Sequence, residues 1–285
     1  MVNGPMRRTI CCILAVLAAF VELLAAPAGA APTRIISINA CTDQLLLALA
    51  DRHQIIALTI FARDPRISFY AERAAGLSLI RGTAEEVLKL KPDLVLAGSF
   101  TSRATREVLA AQGVRVATFA PATSVMGVRK QIIDAASLIG QEARGQGLVA
   151  GLDDAFAGLA PVSRPLRALQ LERRGFASGA GTLVDDIMQR LGIGNAASDL
   201  GITEVGRTSI EAVLKAKPDL LILDSVEPAA ADQGIALLIH PALEELIPAR
   251  RRVVIPPNQL ICGSPALAQA AQTLRRAVNE IAAER

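Results

Sequence analysis

Residues that could bind a ligand follow directly after short apolar runs of the chain. Strands are predicted for the runs TRIISI (33–38), QIIALTI (54–60), LSLI (77–80), LVLA (94–97), RALQLE (167–172), LLIL (220–223) and RRVVIP (251–256). Ligands bind just beyond the carboxyl ends of strands in open α/β sheets, so the residues at those ends are candidates for ligand binding. The candidates are Asn39, Cys41, Thr42, Phe61, Arg63, Arg81, Ser99, Phe100, Arg173, Phe176, Asp224 and Asn258.

Arginine is frequent among these candidates. Arg63, Arg81 and Arg173, together with Arg103, favour an anionic or carboxylate-bearing ligand, because guanidinium groups pair bidentately with carboxylates. A single exposed arginine can equally be a solvated loop charge that binds nothing, so the prediction concerns the cluster and not its members. The chain has no Trp, and Phe residues are its main aromatic contact surfaces.

The sequence offers few side chains for direct metal binding or catalysis. A metal site needs a cluster of ligating side chains, and the chain has only His53 and His240, one in each half. The stretch GFASGAGT (175–182) lacks the lysine and spacing of a phosphate-binding P-loop. No histidine is placed to activate Cys41 as a nucleophile. We expect ligand binding without a metal site, a cofactor or catalysis. An enzyme and a membrane-coupled sensor are the alternatives.

The elements that must position the candidates occur in two similar halves. EEVLKLKPDLVLAG (85–98) and EAVLKAKPDLLILD (211–224) agree at eight of their first ten positions, and their starts are 126 residues apart (211 − 85). Each copy predicts a short helix that ends at a proline, because proline lacks an N–H group, followed by a buried strand. A separation of this size is that of a domain and not of a short solenoid repeat.

Strands alternate with helices in both halves, and this pattern predicts an α/β fold with parallel sheets. Between the halves, the stretch from Met126 to Leu159 shows only helical periodicity. We therefore expect two Rossmann-like lobes, at 31–122 and 162–285, joined by a long helical connector at 123–161. The ligand cleft should lie between the lobes.

The first 30 residues predict a signal peptide. Arg7 and Arg8 precede the apolar run TICCILAVLAAFVELLA, and A-G-A at 28–30 has the form of a signal-peptidase site. We expect export and cleavage near Ala30, with a membrane anchor as the alternative. The net charge is +3, from 30 basic and 27 acidic residues, which is too balanced to indicate nucleic-acid binding.

Cleavage at this point would leave two of the four cysteines, Cys41 and Cys262. An oxidising compartment permits them to form a disulfide. The sequence leaves this pairing open, because nothing in it fixes their distance. Two small buried thiols are the alternative.

Four stretches in a fixed order carry a resemblance to a known family: RIISINACTDQLLLALA (34–50), GTAEEVLKLKPDLVLAG (82–98), GTLVDDIMQRLGIGNAA (181–197) and GRTSIEAVLKAKPDLLIL (206–223). The chain resembles the helical-backbone periplasmic binding proteins of ABC importers, in the group that carries iron–siderophore complexes, haem or cobalamin. The resemblance covers essentially the whole chain after residue 30. It implies a periplasmic protein that captures a ferric chelate or a corrinoid and delivers it to a dimeric membrane permease. An iron–siderophore complex is the first expectation, then cobalamin, then haem.

The resemblance also implies a role for two acids of the repeated phrase. In this family a surface glutamate of each lobe docks onto arginines of the permease, and the matching positions here are Glu85 and Glu211. Paired acids suit a two-fold permease, since Arg–carboxylate contacts orient as well as attract. The alternative is that both are ordinary first-turn acids favoured by the helix dipole. Glu86 is the weaker candidate, because it can complete a capping box with Thr83.

Overall fold

The structure is a computed structural model that describes residues 31–159, 161–162, 165–224 and 233–283. The predicted signal peptide, 1–30, and its cleavage site at Ala30 lie outside the described residues. No helix in the described part of the chain is long and apolar enough to cross a membrane.

The N-terminal lobe is a five-stranded parallel sheet in the order β3-β2-β1-β4-β5. Apolar residues of β1 and β4 are fully buried between helices on both faces, which explains their near-continuous apolar sequences. The strands are β1 (Ile35–Ser37), β2 (Ile55–Thr59), β3 (Leu79–Ile80), β4 (Leu94–Gly98) and β5 (Val116–Phe119), and the helices are α1 (Ala40–Leu49), α2 (Ala84–Lys89) and α3 (Arg103–Ala111).

The C-terminal lobe has a four-stranded parallel sheet in the order β11-β10-β6-β8 and a separate antiparallel pair, β7-β9. Its strands are β6 (Leu166–Leu171), β7 (Phe176–Ser178), β8 (Ile193–Asn195), β9 (Val205–Arg207), β10 (Leu220–Leu223) and β11 (Arg252–Val254). Its helices are α6 (Leu183–Arg190), α7 (Ala196–Asp199), α8 (Ile210–Ala216), α9 (Pro241–Leu246), α10 (Pro257–Leu260) and α11 (Leu267–Ala283). The predicted two-lobed α/β fold is thereby confirmed.

The connector between the sheets is a pair of helices, α4 (Val125–Ile139) and α5 (Glu142–Ala157), and not one continuous rod. Gly140 ends α4 in a left-handed conformation with φ 72°, which reverses the chain and which glycine adopts without strain. Gly145 then lets the two helices approach closely, because a Cβ there would lie 2.4 Å from the Cβ of Ala136. The exact lobe and connector boundaries remain predictions.

In the first copy of the repeated phrase, hydrogen bonds connect the end of α2 to the start of the neighbouring strand β1. The Asp93 carboxylate accepts hydrogen bonds from the backbone N–H groups of Thr33 and Arg34, each at 3.0 Å. The Arg34 guanidinium donates to the carbonyls of Leu90 (2.6 Å) and Lys91 (3.0 Å) at the end of α2. These backbone contacts hold the start of β1 against the end of the helix, and they hold the pKa of Asp93 below its usual value.

The second copy makes the same connection in the other lobe. Asp219 accepts the backbone N–H of Arg167 at 3.0 Å and donates its own N–H to the Arg167 carbonyl at 2.8 Å. The Arg167 guanidinium donates to the carbonyl of Ala216, the last residue of α8, at 3.0 Å. The repetition in the sequence therefore encodes a structural joint in each lobe.

Candidate ligand-binding cleft

The carboxyl ends of β1, β4 and β5 meet a segment of the C-terminal lobe and enclose a cavity of about 80 Å³. Five of the twelve candidates, which follow β1 and β4, line this cavity: Asn39, Cys41, Thr42, Ser99 and Phe100. The C-terminal lobe contributes Ile261, Cys262 and Gly263. The strand-end argument thus brought together residues from two strands, but it missed Ile261 and Gly263, which follow no predicted strand end directly.

Two of the polar candidates build the start of α1. The Asn39 side chain caps the helix by accepting the backbone N–H groups of Cys41 (2.9 Å) and Thr42 (3.4 Å). Thr42 is buried, and its hydroxyl makes hydrogen bonds to the Ser37 hydroxyl at 2.7 Å and the Asn39 carbonyl at 3.0 Å. Both side chains therefore position the helix end that faces the cleft.

The two cysteines whose pairing the sequence leaves open join the two lobes. Cys41, in the first turn of α1, forms a disulfide with Cys262, and their Cα atoms are 5.1 Å apart. A second contact lies nearby, where the Asn258 side-chain amide donates to the carbonyl of Pro65 at 2.7 Å. Residues from opposite ends of the chain thus form one wall of the site.

Apolar side chains at the cleft remain open to solvent. Phe100 is 87% exposed and Ile261 is 58% exposed, although both line the same cavity. Phe61, after β2, is 46% exposed. Large apolar side chains exposed next to a cavity are typical of a surface that an incoming ligand covers.

The arginine candidates do not act as one free cluster. Arg63 donates through its guanidinium to the carbonyls of Ala74 and Leu77. Arg103 forms an ion pair with Glu107 at 2.7 Å on the surface of α3. Arg81 is exposed beside α2. Two of the four arginines are therefore engaged within their own lobe.

The C-terminal lobe brings a carboxylate to this region that the sequence reasoning missed. Glu172 follows β6, as Asp224 follows the adjacent strand β10, and the backbone N–H of Arg173 lies 3.5 Å from an Asp224 oxygen. Burial raises the pKa of Glu172, and the neighbouring Asp224 raises it further. Phe176 stands beside this pair, with the Arg207 guanidinium 5.2 Å from its ring centre. Acidic and basic side chains thus lie near one another in this part of the C-terminal lobe.

The side chains that most often ligate haem iron lie elsewhere. His53 belongs to a short 3₁₀ turn directly before β2. It therefore lies at the amino end of this strand, whereas the cleft lies at the carboxyl ends of the strands. His240 caps α9 by accepting the backbone N–H of Ala242 at its Nδ1 atom. The Tyr70 ring packs on the core, with Arg73 over it at 4.8 Å. Within the described ranges, no three His, Cys, Asp or Glu side chains could hold a metal ion together.

Behind the cleft, α1 buries the carboxylate of Asp43 against neutral hydrogen-bond donors. Asp43 accepts the backbone N–H of Thr59 at 3.1 Å and the Thr59 hydroxyl. Burial raises the pKa of Asp43 to about 6, although its hydrogen bonds with Ser37 and Thr59 act in the opposite direction. No sequence pattern distinguishes Asp43 from an ordinary acid in the first turn of a helix.

Comparison with known proteins decides the family. Residues 35–251 match the model of a family described as periplasmic binding protein. The chain belongs to this family. A cobalamin-binding protein of Halobacterium salinarum is 25% identical over 218 residues, which are 74% of this chain. The chain spans 58% of the length of that relative.

Solved structures show the same architecture as this periplasmic binding protein. The periplasmic haem-binding protein RhuT from Roseiflexus sp. RS-1, in its apo form, superposes with a TM-score of 0.72 and 28% identity, covering 87% of this chain and 98% of RhuT. The periplasmic haem-binding protein HutB of Vibrio cholerae has a TM-score of 0.71 at 21% identity, over 86% of this chain and 98% of HutB. The second likeness supports the fold.

The two repeat glutamates of this periplasmic binding protein occupy equivalent, exposed positions. Glu85 lies in the first turn of α2 and pairs with Lys89 at 2.6 Å, with both side chains largely in solvent. Glu211 lies in the first turn of α8, where a hydrogen bond with Ser209 lowers its pKa. Glu86 instead completes the predicted capping box with Thr83.

Proposed function

We propose that the protein is the substrate-binding component of an ABC importer, which captures a metal chelate between its lobes and delivers it to a membrane permease. Family membership and the two-lobed fold support this role. The Halobacterium relative binds cobalamin and RhuT binds haem, so a large metal chelate is the cargo class that the comparisons favour.

A single feature of the cleft carries the proposal. Phe100 and Ile261 come from different lobes, line one cavity and are both largely exposed. The enclosed space of about 80 Å³ is far below the roughly 300–1,000 Å³ of typical ligand pockets, so a chelate sits above this cavity, against the exposed side chains. Burying their apolar surface stabilises the complex.

The cleft favours a chelate whose metal is already fully coordinated. None of His53, His240 and Tyr70 lines the cavity, so none of them is placed to offer iron an axial ligand. A ferric siderophore or a cobalamin brings its own ligands, whereas haem iron takes an axial ligand from its protein. Haem is therefore the least favoured cargo of the three.

Charge narrows the cargo further. Arg63 and Arg103 are engaged within their lobe, and in the other lobe Asp224 lies close enough to Glu172 to raise the pKa of that buried carboxyl. A chelate of low net charge fits this arrangement better than a multiply anionic one, because Arg63 and Arg103 already donate to groups of their own lobe and are not free to pair with an anionic cargo. This proposal differs from the expectation of an anionic ligand, which rested on four arginines, because two of the four are engaged within their own lobe.

Four probes test the proposal on residues 31–285: a neutral ferric trihydroxamate, cyanocobalamin, an anionic ferric tricatecholate and haemin. A ligand at 100 times its dissociation constant stabilises the fold by about 2.7 kcal/mol, which is visible as a rise in melting temperature. We expect a rise with the trihydroxamate or cyanocobalamin. A rise with haemin or the tricatecholate alone contradicts the proposed cargo and leaves the importer role standing. No rise with any probe contradicts both.

The same proposal assigns the periplasm as the location and the permease as the partner. The predicted signal peptide supports export. The equivalent, exposed positions of Glu85 and Glu211 support docking, since one acid on each lobe can meet each half of a two-fold permease.

A further inference from the structure

A segment of the C-terminal lobe, residues 257–264, lies across the N-terminal lobe, and we name it the bridging segment. It begins with α10 and ends just before α11. Asn258 donates to the Pro65 carbonyl at 2.7 Å. At its other end the backbone packs closely on the connector, since a Cβ on Gly263 would lie 2.6 Å from Val128 of α4 and 2.8 Å from the preceding Ala122.

The disulfide is the covalent part of this contact. Cys262 lies in the bridging segment and Cys41 in α1, and 221 residues separate them along the chain. A cross-link over so long a loop stabilises the fold chiefly by restricting the unfolded chain, which then has fewer conformations to lose on folding. In the described part of the chain, the hydrogen bond from Asn258 to Pro65 and the close packing of Gly263 also hold the segment in place.

The bond also fixes a wall of the proposed ligand site. Ile261 is the direct neighbour of Cys262, and its carbonyl lies 3.9 Å from the Cys41 sulfur. Phe100 lines the same cavity from the N-terminal lobe. The distance between these two exposed apolar side chains therefore depends on the disulfide.

We propose that the Cys41–Cys262 disulfide is a reversible redox latch that holds the bridging segment on the N-terminal lobe and sets the geometry of the cleft. The oxidised form is the binding form, because its walls are held in place before the ligand arrives. Reduction frees the segment and weakens binding. The ligand-binding part of this inference rests on the proposed function, whereas the mechanical part does not.

The latch opens by thiol–disulfide exchange with a dithiol, either a small molecule or a protein with two neighbouring thiols. A thiolate of the reductant attacks the Cys41 sulfur, since Cys41 is partly exposed whereas Cys262 is 3% exposed. The sulfur–sulfur bond breaks, and Cys262 leaves as a thiolate that takes a proton from water. The second thiol of the reductant then displaces Cys41 as a thiolate, which is also protonated. The dithiol leaves as a disulfide, having supplied both electrons.

Hydrogen exchange of the ligand-free protein tests the mechanical part. Reduction with dithiothreitol should raise amide exchange in peptides from 257–264 at least tenfold. Exchange in α8 (210–216), which lies outside the contacts of either cysteine, should stay the same. The double variant Cys41→Ser, Cys262→Ser should exchange like the reduced protein with or without dithiothreitol. Unchanged exchange in 257–264 on reduction overturns the latch.

Affinity for cyanocobalamin and for a neutral ferric trihydroxamate tests the functional part. For whichever probe binds the oxidised protein, we expect the dissociation constant to rise at least tenfold on reduction, and in the double serine variant. An unchanged constant, together with increased exchange, overturns the link between latch and ligand. If neither probe binds the oxidised protein, the proposed cargo is wrong, and the exchange experiment alone decides the latch.

Discussion

At the scale of single residues, Phe100 combines high exposure with a position at the cleft. At 87% it is the most exposed large apolar side chain in the described part of the chain. The exposed ring of Phe100 adds nothing to the stability of the free protein, so we expect a bound ligand to bury it. Asp43 presents the opposite case, a charged group that the fold buries.

The variant Phe100→Ala should weaken ligand binding at least tenfold and leave the melting temperature of the free protein unchanged. Removing a ring that only the complex buries takes away apolar contact with the ligand alone. Titration of the ligand that the probe panel identifies measures the effect. Val108→Ala is the matched control, because Val108 is also exposed but lies on α3 and does not line the cavity. Equal affinity of the two variants would remove Phe100 from the site.

The variant Asp43→Asn should stabilise the protein at pH 7.5, by about 3 kcal/mol at most. The folded pKa of about 6 lies above the ordinary value of 3.8, so the folded state holds a proton that the unfolded state has lost. This group's contribution to stability is therefore present below pH 3.8 and falls as pH rises to about 6. An asparagine amide keeps the size of the side chain and can still accept the Thr59 N–H.

Denaturant unfolding at pH 4.5 and pH 7.5 measures this effect. The difference in unfolding free energy between variant and wild type should be larger at pH 7.5. Asp154→Asn is the control, since Asp154 is exposed on α5. A stability difference that does not change with pH would show that Asp43 does not titrate in this range.

At the scale of elements, the repeated phrase builds the helix–strand joint in both lobes. Lys91 and Lys217 each precede the proline, and both have φ 47°, a left-handed conformation that side chains with a Cβ rarely adopt. The aspartate after the proline then holds a neighbouring strand, as Asp93 holds β1 and Asp219 holds β6. This connection between helix and strand, and not only the proposed docking glutamate, explains why the two copies of the phrase are alike over so many residues.

The variant Lys217→Gly should stabilise the protein by about 0.5–1 kcal/mol. Glycine relieves a left-handed conformation that costs other residues about 1–2 kcal/mol, and part of the gain is lost to the greater freedom of the unfolded chain. Denaturant unfolding measures the change. Lys215→Gly, two residues earlier and inside α8, should instead destabilise by about 1 kcal/mol. The same sign for both variants would contradict the role of the backbone at Lys217.

At the scale of the whole molecule, two lobes with equivalent surface acids are joined by a helical hairpin and a disulfide. The double variant Glu85→Ala, Glu211→Ala should bind ligand within twofold of wild type and lose at least nine-tenths of uptake in cells that depend on this protein. Both glutamates are exposed and line none of the cavity, so their removal changes a surface and not the site.

Titration and radiolabelled uptake measure the two quantities separately. Glu107→Ala is the control, because Glu107 is also exposed and pairs with a basic residue one turn away, as Glu85 does. Normal uptake by the double variant would remove the docking role. Loss of ligand binding would show that the glutamates contribute to the ligand site or to the stability of the fold.

The sequence by itself determined the lobes and the candidate positions. Helix–strand alternation and the repeated phrase are local patterns that report local structure, so the α/β fold followed from them. Strand-end reasoning likewise found five residues of the cavity, Phe100 among them, because the geometry of parallel strands places their ends together. The family resemblance, carried by whole motifs, was confirmed.

Only the tertiary structure decided which of these residues are free to bind. The sequence predicts Arg63 as a cation of the cleft, but its guanidinium group donates hydrogen bonds to backbone carbonyls of its own lobe. In the sequence, nothing distinguishes Asp43 from an exposed acid in the first turn of a helix, but the fold buries its carboxyl group. Cys41 and Cys262 became partners across 221 residues. Burial, pairing and charge environment depend on neighbours that are distant along the chain, and no local pattern encodes those contacts.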